Sequence, residues 1–432
     1  YNCLYISSLK GGVKELNLTS GKLRDLLLKD ENNESIYCRT LLVYTDNELW
    51  IGTESGVYIY NLRTEKYTHL RSSEYDPYSL SDNAIYSFCK DREDGIWIGS
   101  YFGGVNYYPR SYTYFEKYYP KGIENSLHGK RVREFCRDSQ GILWIGTEDG
   151  GLNRFNLKTK DFSFFAPSAG FTNIHGLCLV DDKLWVGTFS KGLKVIDTRS
   201  GVVLKTYQKN DSPRSLIDNS IFAICRTATG DIYLGTMFGL VKYNKQSDDF
   251  DRIPELNGKF VYDIKEDSGG NIWLATYANG VYCYNVNDRK WKNYVHDEKD
   301  TTSLSYNKVS SIFEDSYHRI WLTTQGGGFC LFHPESETFT SYNSTDGLPS
   351  DVVYQIVEDK DGFFWLTTNN GLVCFQPATG TMKVYTTSNG LLGDQFNYRS
   401  SLETEDGTIY LGSIRSEEHT SELQSQFRIS YA

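Results

Sequence analysis

An aromatic residue at the head of a short run of apolar and small residues recurs ten times along this 432-residue chain. We call these residues anchors, and consecutive anchors lie 40–48 residues apart. A repeat of this length is typical of β-propellers, in which each repeat forms one small sheet, or blade. The anchors are Tyr5, Trp50, Trp97, Trp144, Trp185, Tyr233, Trp273, Trp321, Trp365 and Tyr410. The spacing therefore predicts an all-β fold built from consecutive blades.

Each repeat carries the signals of four short strands. The fullest copies, 138–147 and 267–276, place a turn rich in Asp, Ser and Gly before the anchor, and these residue types let the chain reverse. An apolar inner strand such as 132–135 precedes the turn, while a glycine-led third strand and a Phe/Tyr-rich outer strand follow. The 33 Tyr, 23 Phe and 8 Trp suit half-buried strands. A leucine lies 17 residues before five anchors, at Leu80, Leu127, Leu216, Leu304 and Leu348.

Ten anchors fit either one large ring or two smaller rings. A gap at 120–126 follows an aromatic outer strand over 112–119, and seven anchors lie beyond it. Seven blades form a common closed ring. We therefore predict tandem β-propellers, with the last blades of a first ring at 1–121 and a second, seven-bladed ring at 122–414 whose last blade is incomplete.

The two ends of the chain predict a truncated sequence. The chain starts at Tyr1, inside a predicted strand, without an initiator Met or a signal peptide. After Ile414 the repeat predicts a glycine-led strand, but residues 415–432 instead resemble a translated short-read sequencing adapter. We expect 415–432 to be a non-native tail, the alternative being a charged helical tail.

The repeats resemble two-component regulator propeller repeats. Their order is similar to that in the periplasmic sensor region of hybrid two-component histidine kinases from polysaccharide-using gut bacteria. The segments 389–398 and 407–412 resemble the last blade of the second ring in that family, and 103–108 resembles the last blade of its first ring. The resemblance covers residues 1–414.

The resemblance implies a periplasmic sensor region of an inner-membrane receptor that binds a glycan-derived oligosaccharide and regulates polysaccharide utilisation. In that family two seven-bladed rings precede a β-sandwich, one membrane helix and a histidine kinase core, and the receptor signals as a homodimer. We therefore expect this chain to supply recognition rather than catalysis, to need no cofactor, and to reach the membrane only through a missing C-terminal helix. The net charge of −10 disfavours a nucleic-acid partner, since phosphate binding needs clustered Lys and Arg.

Loops that follow the anchor strands vary in sequence while their flanks repeat, and in a propeller such loops share one face. Aromatic rings with nearby amides and charges suit sugars, whose C–H faces stack while their hydroxyls exchange hydrogen bonds. Lys191, Arg131 and Arg133 are also candidates to meet a carboxylate or sulfate. The alternative is that the loop aromatics only cap the core. The candidate ligand-binding residues are Tyr101, Phe102, Arg131, Arg133, Glu148, Asp149, Phe189, Lys191, Phe238, Tyr277, Asn279, Gln325 and Asn369.

Two other functional classes stay open. A carbohydrate-active hydrolase or lyase needs paired carboxylates or a Tyr/Arg/His constellation in the same loops. Glu148 with Asp149 is the nearest acidic pair, although adjacent residues rarely face each other. A protein-interaction scaffold is the other alternative, because fold does not imply function. We predict no catalytic residue in this chain.

Two further motifs predict structural roles. Residues 359–362, Asp-Lys-Asp-Gly, resemble the start of a calcium loop but lack its downstream Glu, so we interpret them as a turn. Cys89, Cys136 and Cys225 each lie eight residues before an anchor, which predicts buried thiols on equivalent inner strands rather than disulfides. The seven histidines are scattered without ligand spacing, so we predict no metal site.

Overall fold

The computed structural model describes residues 2–9, 11–30, 32–74, 79–92, 94–108, 115–121, 123–414 and the backbone of 426–429. It divides into two compact units, Tyr1–Thr113 (unit 1) and Tyr114–Ala432 (unit 2). The described elements are antiparallel strands and four short 3₁₀ helices, which confirms the predicted all-β class. Within the described ranges, no helix is long and apolar enough to cross a membrane.

Unit 1 contains three sheets whose strands pair in chain order. The first sheet has three strands, β1 (Cys3–Ser8), β2 (Gly12–Asn17) and β3 (Leu23–Leu27). The second has four strands, β4 (Cys38–Thr45), β5 (Glu48–Thr53), β6 (Gly56–Asn61) and β7 (Tyr67–Leu70). The third has three strands, β8 (Ile85–Lys90), β9 (Ile96–Ser100) and β10 (Val105–Tyr108).

Unit 2 contains seven four-stranded sheets within its described residues. One strand, β11 (Phe115–Tyr118), precedes the first complete sheet. The first three complete sheets are β12 (Val132–Arg137), β13 (Ile142–Thr147), β14 (Leu152–Asn156) and β15 (Phe162–Phe164); β16 (Ile174–Val180), β17 (Lys183–Thr188), β18 (Leu193–Asp197) and β19 (Val203–Tyr207); and β20 (Ile221–Arg226), β21 (Ile232–Thr236), β22 (Gly239–Asn244) and β23 (Asp249–Ile253).

The next three sheets repeat this order. They are β24 (Val261–Glu266), β25 (Ile272–Thr276), β26 (Val281–Asn285) and β27 (Lys290–Tyr294); β28 (Val309–Glu314), β29 (Ile320–Thr324), β30 (Phe329–His333) and β31 (Thr338–Tyr342); and β32 (Val353–Glu358), β33 (Phe364–Thr368), β34 (Leu372–Gln376) and β35 (Thr381–Tyr385). Four 3₁₀ helices connect outer strands to the next inner strand, at Ala166–Gly170, Pro254–Leu256, Ser344–Asp346 and Thr387–Asn389.

The last sheet joins the two ends of unit 2. It contains β36 (Phe396–Glu403), β37 (Ile409–Ser413) and β38 (Gln426–Ile429), and β11 pairs with β38 as its outer strand. The outer strand predicted over 112–119, of which the structure describes residues from 115 onward, therefore belongs to unit 2 and not to the first ring. The unit boundary consequently lies at 113/114 instead of the predicted 121/122.

The predicted non-native tail, 415–432, falls largely outside the described residues. Only the backbone of 426–429 is described within it, as the third strand of the last sheet. Pairing at a strand position uses backbone groups that every sequence offers, so it demands little of the side chains. The tail prediction therefore stays a prediction.

The inner strands of unit 2 close a ring. Each first strand packs against the first strand of the next sheet, from β12 through β16, β20, β24, β28 and β32 to β36, and β36 packs back against β12. Six of these strands carry a register shift after their first residue, as at Val132/Glu134 and Val261/Asp263. A bulge re-aims the residue inside it, so the six bulged residues share one level at the axis.

The anchors occupy one equivalent position per sheet, which confirms the repeat alignment. All ten lie on β1, β5, β9, β13, β17, β21, β25, β29, β33 and β37, and the five landmark leucines are all buried. Trp144, Trp273, Trp321 and Trp365 each donate their indole N–H to an Asp six residues earlier, at N···O distances of 2.7–2.9 Å. The same Asp accepts backbone N–H groups of its turn, so one carboxylate fixes both the turn and the anchor.

The cysteine prediction is only partly correct. All nine cysteines are free thiols, and Cys136 is buried on β12 while Cys225 on β20 is half-buried. Cys89 on β8 is exposed, so the prediction that it is buried is wrong. Its strand neighbour Phe88 packs into the core shared with the β4 sheet, and within the described part of unit 1 no further sheet covers the opposite face.

Candidate functional site

The loops after the anchor strands gather at one end of unit 2, which we call the mouth. The first residue after each anchor strand donates its backbone N–H to the carbonyl of a residue just before the inner strand. Examples are Tyr277 to Phe260, Phe189 to Asn173 and Gln325 to Lys308, at 2.9–3.0 Å. Glu148, Met237 and Asn369 repeat the bond with Arg131, Ser220 and Val352. These bonds set the predicted loops beside the bulged inner-strand residues.

A continuous set of aromatic rings lines the mouth. We call it the aromatic arc, and it comprises His175, Phe189, Phe222, Phe260, Tyr262, Tyr277, Tyr354 and Tyr398. Neighbouring ring centroids are 4.4–6.1 Å apart, from His175 and Phe189 through Phe222 to Phe260, and from Tyr262 through Tyr398 to Tyr354. Five of the seven sheets contribute to the arc. Aromatic pairs at these distances add stability beyond the area they bury, so the arc is a preformed surface.

Three rings of the arc form a parallel stack. Phe260 lies 4.7 Å from Tyr262 and 5.4 Å from Tyr277, with interplanar angles of 14° and 18°. Tyr277 is 43% exposed, and the Lys308 ammonium lies 4.3 Å from its ring centroid. Phe189, 39% exposed, is the other open member of the arc, whereas Phe222, Tyr262 and Tyr354 are buried. Tyr277 and Phe189 are therefore the rings that a ligand at the mouth can reach.

Arg133 supports the arc from within. It is only 1% exposed, its Nε donates to His175 Nδ1 at 3.1 Å, and its Nη1 donates to the Tyr398 carbonyl at 2.5 Å. Its guanidinium also lies 4.8 Å from the Tyr398 ring centroid. Glu148 Oε1 lies 3.7 Å from Arg133 Nε and is 3.3 Å from the Asn397 amide. Because these partners bind its guanidinium inside the protein, Arg133 is not open to a ligand.

Four titratable rings of the arc are held neutral near pH 7 by burial. Burial, reinforced by the charge of Arg133, lowers the pKa of His175 well below 6.5. Since His175 Nδ1 accepts from Arg133, its proton sits on Nε2, which donates to Asn173 Oδ1 at 2.8 Å. Burial raises the pKa of Tyr354 to about 12 and also raises the pKa values of Tyr262 and Tyr398. These four rings therefore offer neutral hydrogen-bonding groups.

We expect the His175 imidazole to remain neutral from pH 7.5 to pH 5.5. Its folded-state pKa lies below its unfolded value, so only the unfolded chain gains this proton, and the His175 contribution to stability falls by about 1.4 kcal/mol over that range. NMR of the ring Cε1–H, assigned with a His175→Gln variant, checks the protonation state. A His175 resonance that titrates with a midpoint above pH 6 would contradict this expectation.

The acidic pair does not form a catalytic site. Asp149 is exposed, and its carboxylate accepts the backbone N–H groups of Lys130 and Arg131 at 2.8–3.2 Å. Glu148 turns inward toward Arg133 and Asn397 instead. The two carboxylates therefore stabilise different parts of the mouth. This arrangement argues against a hydrolase that would use Glu148 and Asp149 as facing carboxylates.

The other predicted residues divide by position. Asn279 and Gln325 are half-buried in mouth loops, while Lys191, Phe238 and Asn369 are exposed there. Lys191 lies near Lys194, whose pKa is lowered first by burial and then by the Lys191 charge. Tyr101 and Phe102 belong to unit 1, where they are 58% and 88% exposed and their ring centroids are 4.3 Å apart. Only Phe189 and Tyr277 of the predicted residues lie in the arc itself.

Six arc residues were missed by the sequence analysis. His175, Phe222, Tyr262 and Tyr354 are the bulged second residues of their inner strands, and Tyr398 lies near the start of β36. Phe260 directly precedes β24. The available signal was a polar or aromatic residue straight after the first apolar residue of each inner strand, as in Val261-Tyr262 and Val353-Tyr354.

The Asp-Lys-Asp-Gly segment forms a turn, as predicted. Asp359 accepts the backbone N–H groups of Asp361 and Phe363 at 3.0 Å and the Trp365 indole N–H at 2.7 Å. The same three bonds occur at Asp138 and Asp315, in the sheets anchored by Trp144 and Trp321. Over the residues that the structure describes, no three His, Cys, Asp or Glu side chains are arranged to hold a metal ion.

The repeats themselves match a known family model. Five segments match two-component regulator propeller repeats, at 79–102, 126–149, 255–278, 303–326 and 347–370. The chain contains two-component regulator propeller repeats at these five places. Each matched segment begins just before an inner strand and ends in the loop after the anchor strand. The family signature therefore covers the two strands and the loop that form the mouth.

Similar proteins include both a kinase and solved propellers. Histidine kinase P4 of Formosa agariphila is 28% identical over 257 residues, which is 56% of this chain and 18% of that kinase. The extracellular domain of the hybrid two-component system BT3049 from B. thetaiotaomicron has the same fold, with a TM-score of 0.71 and 24% identity over 99% of this chain and 60% of that one. The chain thus spans a small part of the kinase and about three fifths of that domain.

An enzyme shares the fold as well. Virginiamycin B lyase from Staphylococcus aureus matches 74% of this chain and all of its own length, with a TM-score of 0.54 and 12% identity. A likeness at this identity concerns the architecture alone, because function resides in site residues and not in the fold.

Proposed function

We propose that this chain is a periplasmic ligand-sensing region of a hybrid two-component histidine kinase, and that it binds a glycan-derived oligosaccharide at the aromatic arc. The observation that carries the proposal is the preformed surface of neutral rings at the mouth, in a chain of two-component regulator propeller repeats. The extracellular placement of the structurally similar B. thetaiotaomicron domain supports the periplasmic location.

The chemistry of the arc suits a sugar. Tyr277 and Phe189 offer open aromatic surface for the C–H faces of pyranose rings. Tyrosine hydroxyls and the amides of Asn279 and Gln325 are suited to exchange hydrogen bonds with sugar hydroxyls. The buried guanidinium of Arg133 has its partners inside the protein, so one of the three predicted anion contacts is lost. We therefore favour a neutral oligosaccharide over a carboxylated or sulfated one.

Signalling requires a difference in affinity between two receptor states. A ligand that binds both arrangements of a homodimeric receptor equally shifts neither. We propose that the oligosaccharide binds one arrangement more tightly and that this arrangement alters phosphoryl transfer in the kinase beyond this chain. Polysaccharide utilisation would be regulated through that step.

Truncating the open rings should weaken oligosaccharide binding selectively. The probes are maltohexaose, mannohexaose, xylohexaose and hexagalacturonate, which we call the hexasaccharide panel, measured by isothermal titration calorimetry with the 432-residue chain. We expect Tyr277→Ala and Phe189→Ala each to weaken the tightest binder about tenfold, because each removes one stacking face. Tyr317→Ala is the matched control, since Tyr317 is 77% exposed in the β28–β29 turn at the opposite end.

The same assay separates the alternative functions. Release of shorter sugars during the titration would favour the hydrolase or lyase alternative. An equal loss of affinity in Tyr317→Ala would show that the arc is not the site. Failure of every panel member to bind would overturn the proposed oligosaccharide recognition. It would favour the protein-interaction scaffold.

A further inference from the structure

Three charged side chains meet across the axis of unit 2, directly beneath the aromatic arc. We call Glu134, Asp263 and Arg399 the ion cluster. Arg399 Nε lies 3.1 Å from Glu134 Oε2, and Arg399 Nη1 lies 2.8 Å from Asp263 Oδ1. The three residues come from β12, β24 and β36. Since β24 is not a ring neighbour of either other strand, Arg399 ties together sheets on opposite sides of the axis.

Each member of the ion cluster directly follows a residue of the mouth. Glu134 follows Arg133, Asp263 follows Tyr262, and Arg399 follows Tyr398. Above the cluster, the rings of Tyr262 and Tyr398 are 5.5 Å apart and Arg133 binds the Tyr398 carbonyl. Arg399 has a positive φ of 48°, a conformation that an arginine keeps only when its surroundings hold it. A shift of Arg399 therefore moves Tyr398 and loosens the hold on Arg133.

Glu134 depends on Arg399 more than Asp263 does. Asp263 also accepts the backbone N–H groups of Ile264 and Ile312, at 2.9 and 3.0 Å, and these bonds fix its position. Glu134 is 6% exposed, and its carboxylate faces Arg399 through both oxygens. The charge on Glu134 therefore determines how strongly Arg399 is held on the β12 side.

The charge on Glu134 is poised near neutral pH. Burial raises the pKa of Glu134 from 4.5 to about 7, although Arg399 and Arg133 favour the carboxylate, and Asp263 opposes it. On β16 the facing groups are His175, which is neutral, and the Cys178 thiol, whose pKa burial raises. On β12 the Cys136 thiol is also protonated because burial raises its pKa.

A cavity lies at the end of unit 2 opposite the mouth. Its volume is about 660 Å³, and Gln355 and Ser401 are among its lining residues. Gln355 is the residue after the bulge of β32, as Glu134 and Asp263 are after the bulges of β12 and β24. The cavity therefore extends to a strand position equivalent to those of Glu134 and Asp263, from the end opposite the arc.

We propose that the ion cluster is a positioning device for the aromatic arc, and that protonation of Glu134 weakens oligosaccharide binding at the mouth. This inference rests on the proposed function of the arc. Above pH 7 the carboxylate holds Arg399, which holds Tyr398 and Arg133 in place. Below pH 7 the neutral carboxyl no longer offers the charge, and Arg399 keeps only its contact with Asp263. The arc is then less well ordered before a ligand arrives.

The expected change in affinity follows from the fraction of the protein in which Glu134 is ionised. If only the ionised form binds, the apparent affinity is reduced by the fraction of Glu134 that is protonated. We expect the affinity for the tightest binder of the hexasaccharide panel to fall about tenfold from pH 8 to pH 6. Glu134→Gln should bind at least tenfold more weakly than the native chain does at pH 8, and it should do so equally at pH 8 and at pH 6.

A matched variant tests whether Glu134 is responsible. Glu403 lies on β36 and lines the cavity at the opposite end, and burial raises its pKa too. We expect Glu403→Gln to keep the native pH dependence of binding. Native binding that is equal at pH 6 and pH 8, or a pH dependence abolished by Glu403→Gln, would overturn the proposal.

A second readout uses the native chain alone, so it requires neither a ligand nor a variant. Hydrogen exchange of the 396–403 segment, corrected for intrinsic rates, should be faster at pH 6 than at pH 8 in the native chain. Where Glu134→Gln folds, its exchange should be equal at both pH values. If no panel member binds but this exchange difference is present, the proposed function fails while the ion cluster still orders the arc. Equal exchange rates at pH 6 and pH 8 in the native chain would contradict the positioning role of the ion cluster.

Discussion

Replacing Gly328 by alanine should destabilise unit 2 by about 4 kcal/mol, or prevent its folding. Gly328 opens the third strand of its sheet with φ of +70°, and a Cβ there would lie 2.0 Å from the Tyr342 carbonyl oxygen. Its N–H also donates to the Asp351 carbonyl at 2.9 Å, so the backbone cannot easily move away. The alanine therefore meets both an unfavourable dihedral angle and a fixed backbone atom.

A second glycine separates these two effects. Gly380 has φ of +72°, but a Cβ there would meet no atom within 4 Å. We expect Gly380→Ala to cost about 1 kcal/mol, which is the strain of the left-handed conformation alone. Urea denaturation followed by tryptophan fluorescence gives both values. Equal costs at the two positions would show that the Tyr342 carbonyl yields and that the close approach has no structural importance.

The carboxylate that holds an anchor tryptophan should also be costly to neutralise. Asp315 is 3% exposed and accepts the Trp321 indole N–H at 2.8 Å, the Arg319 Nε at 2.6 Å and two backbone N–H groups. In Asp315→Asn an amide donor replaces one acceptor oxygen and faces the indole and guanidinium donors. We expect a loss of about 3 kcal/mol in the free energy of unfolding, since buried hydrogen bonds to a charged group are broken.

Neighbouring sheets supply the controls for Asp315. Asp361→Asn changes an exposed turn residue on the next sheet and should alter stability by less than about 0.5 kcal/mol. In two sheets a Tyr anchor replaces Trp, and Thr227 or Thr404 replaces the Asp six residues before it. The double variant Asp315→Thr with Trp321→Tyr should therefore cost less than the sum of its single variants. Strict additivity would show that the indole N–H does not require the carboxylate.

The repeat could be predicted from the sequence because every blade packs its strands in the same way. All ten anchors lie on equivalent strands, and the landmark leucines are buried where the next inner strand begins. A strand's burial follows from alternation and turn residues close to it in the chain, so short segments carry the information. The turn at Asp359 was predicted for the same reason.

Pairings between residues far apart in the chain could not be predicted in this way. The strand Phe115–Tyr118 has no local signal that it completes the sheet of β36 and β37, about 300 residues later. Cys89 matches Cys136 in sequence position but lies on a face that no further sheet covers among the described residues of unit 1. Burial depends on the neighbour across the interface, which the repeat does not encode.

The candidate site shows the same division. The sequence by itself determined the blade architecture, the loops that lie at the mouth and two open rings, Phe189 and Tyr277. Only the tertiary structure decided that Arg133 is buried beneath the arc and that Glu134, Asp263 and Arg399 meet across the axis. Spacing within one blade fixes which face a side chain occupies, whereas closing the ring decides which side chains from distant blades share the axis.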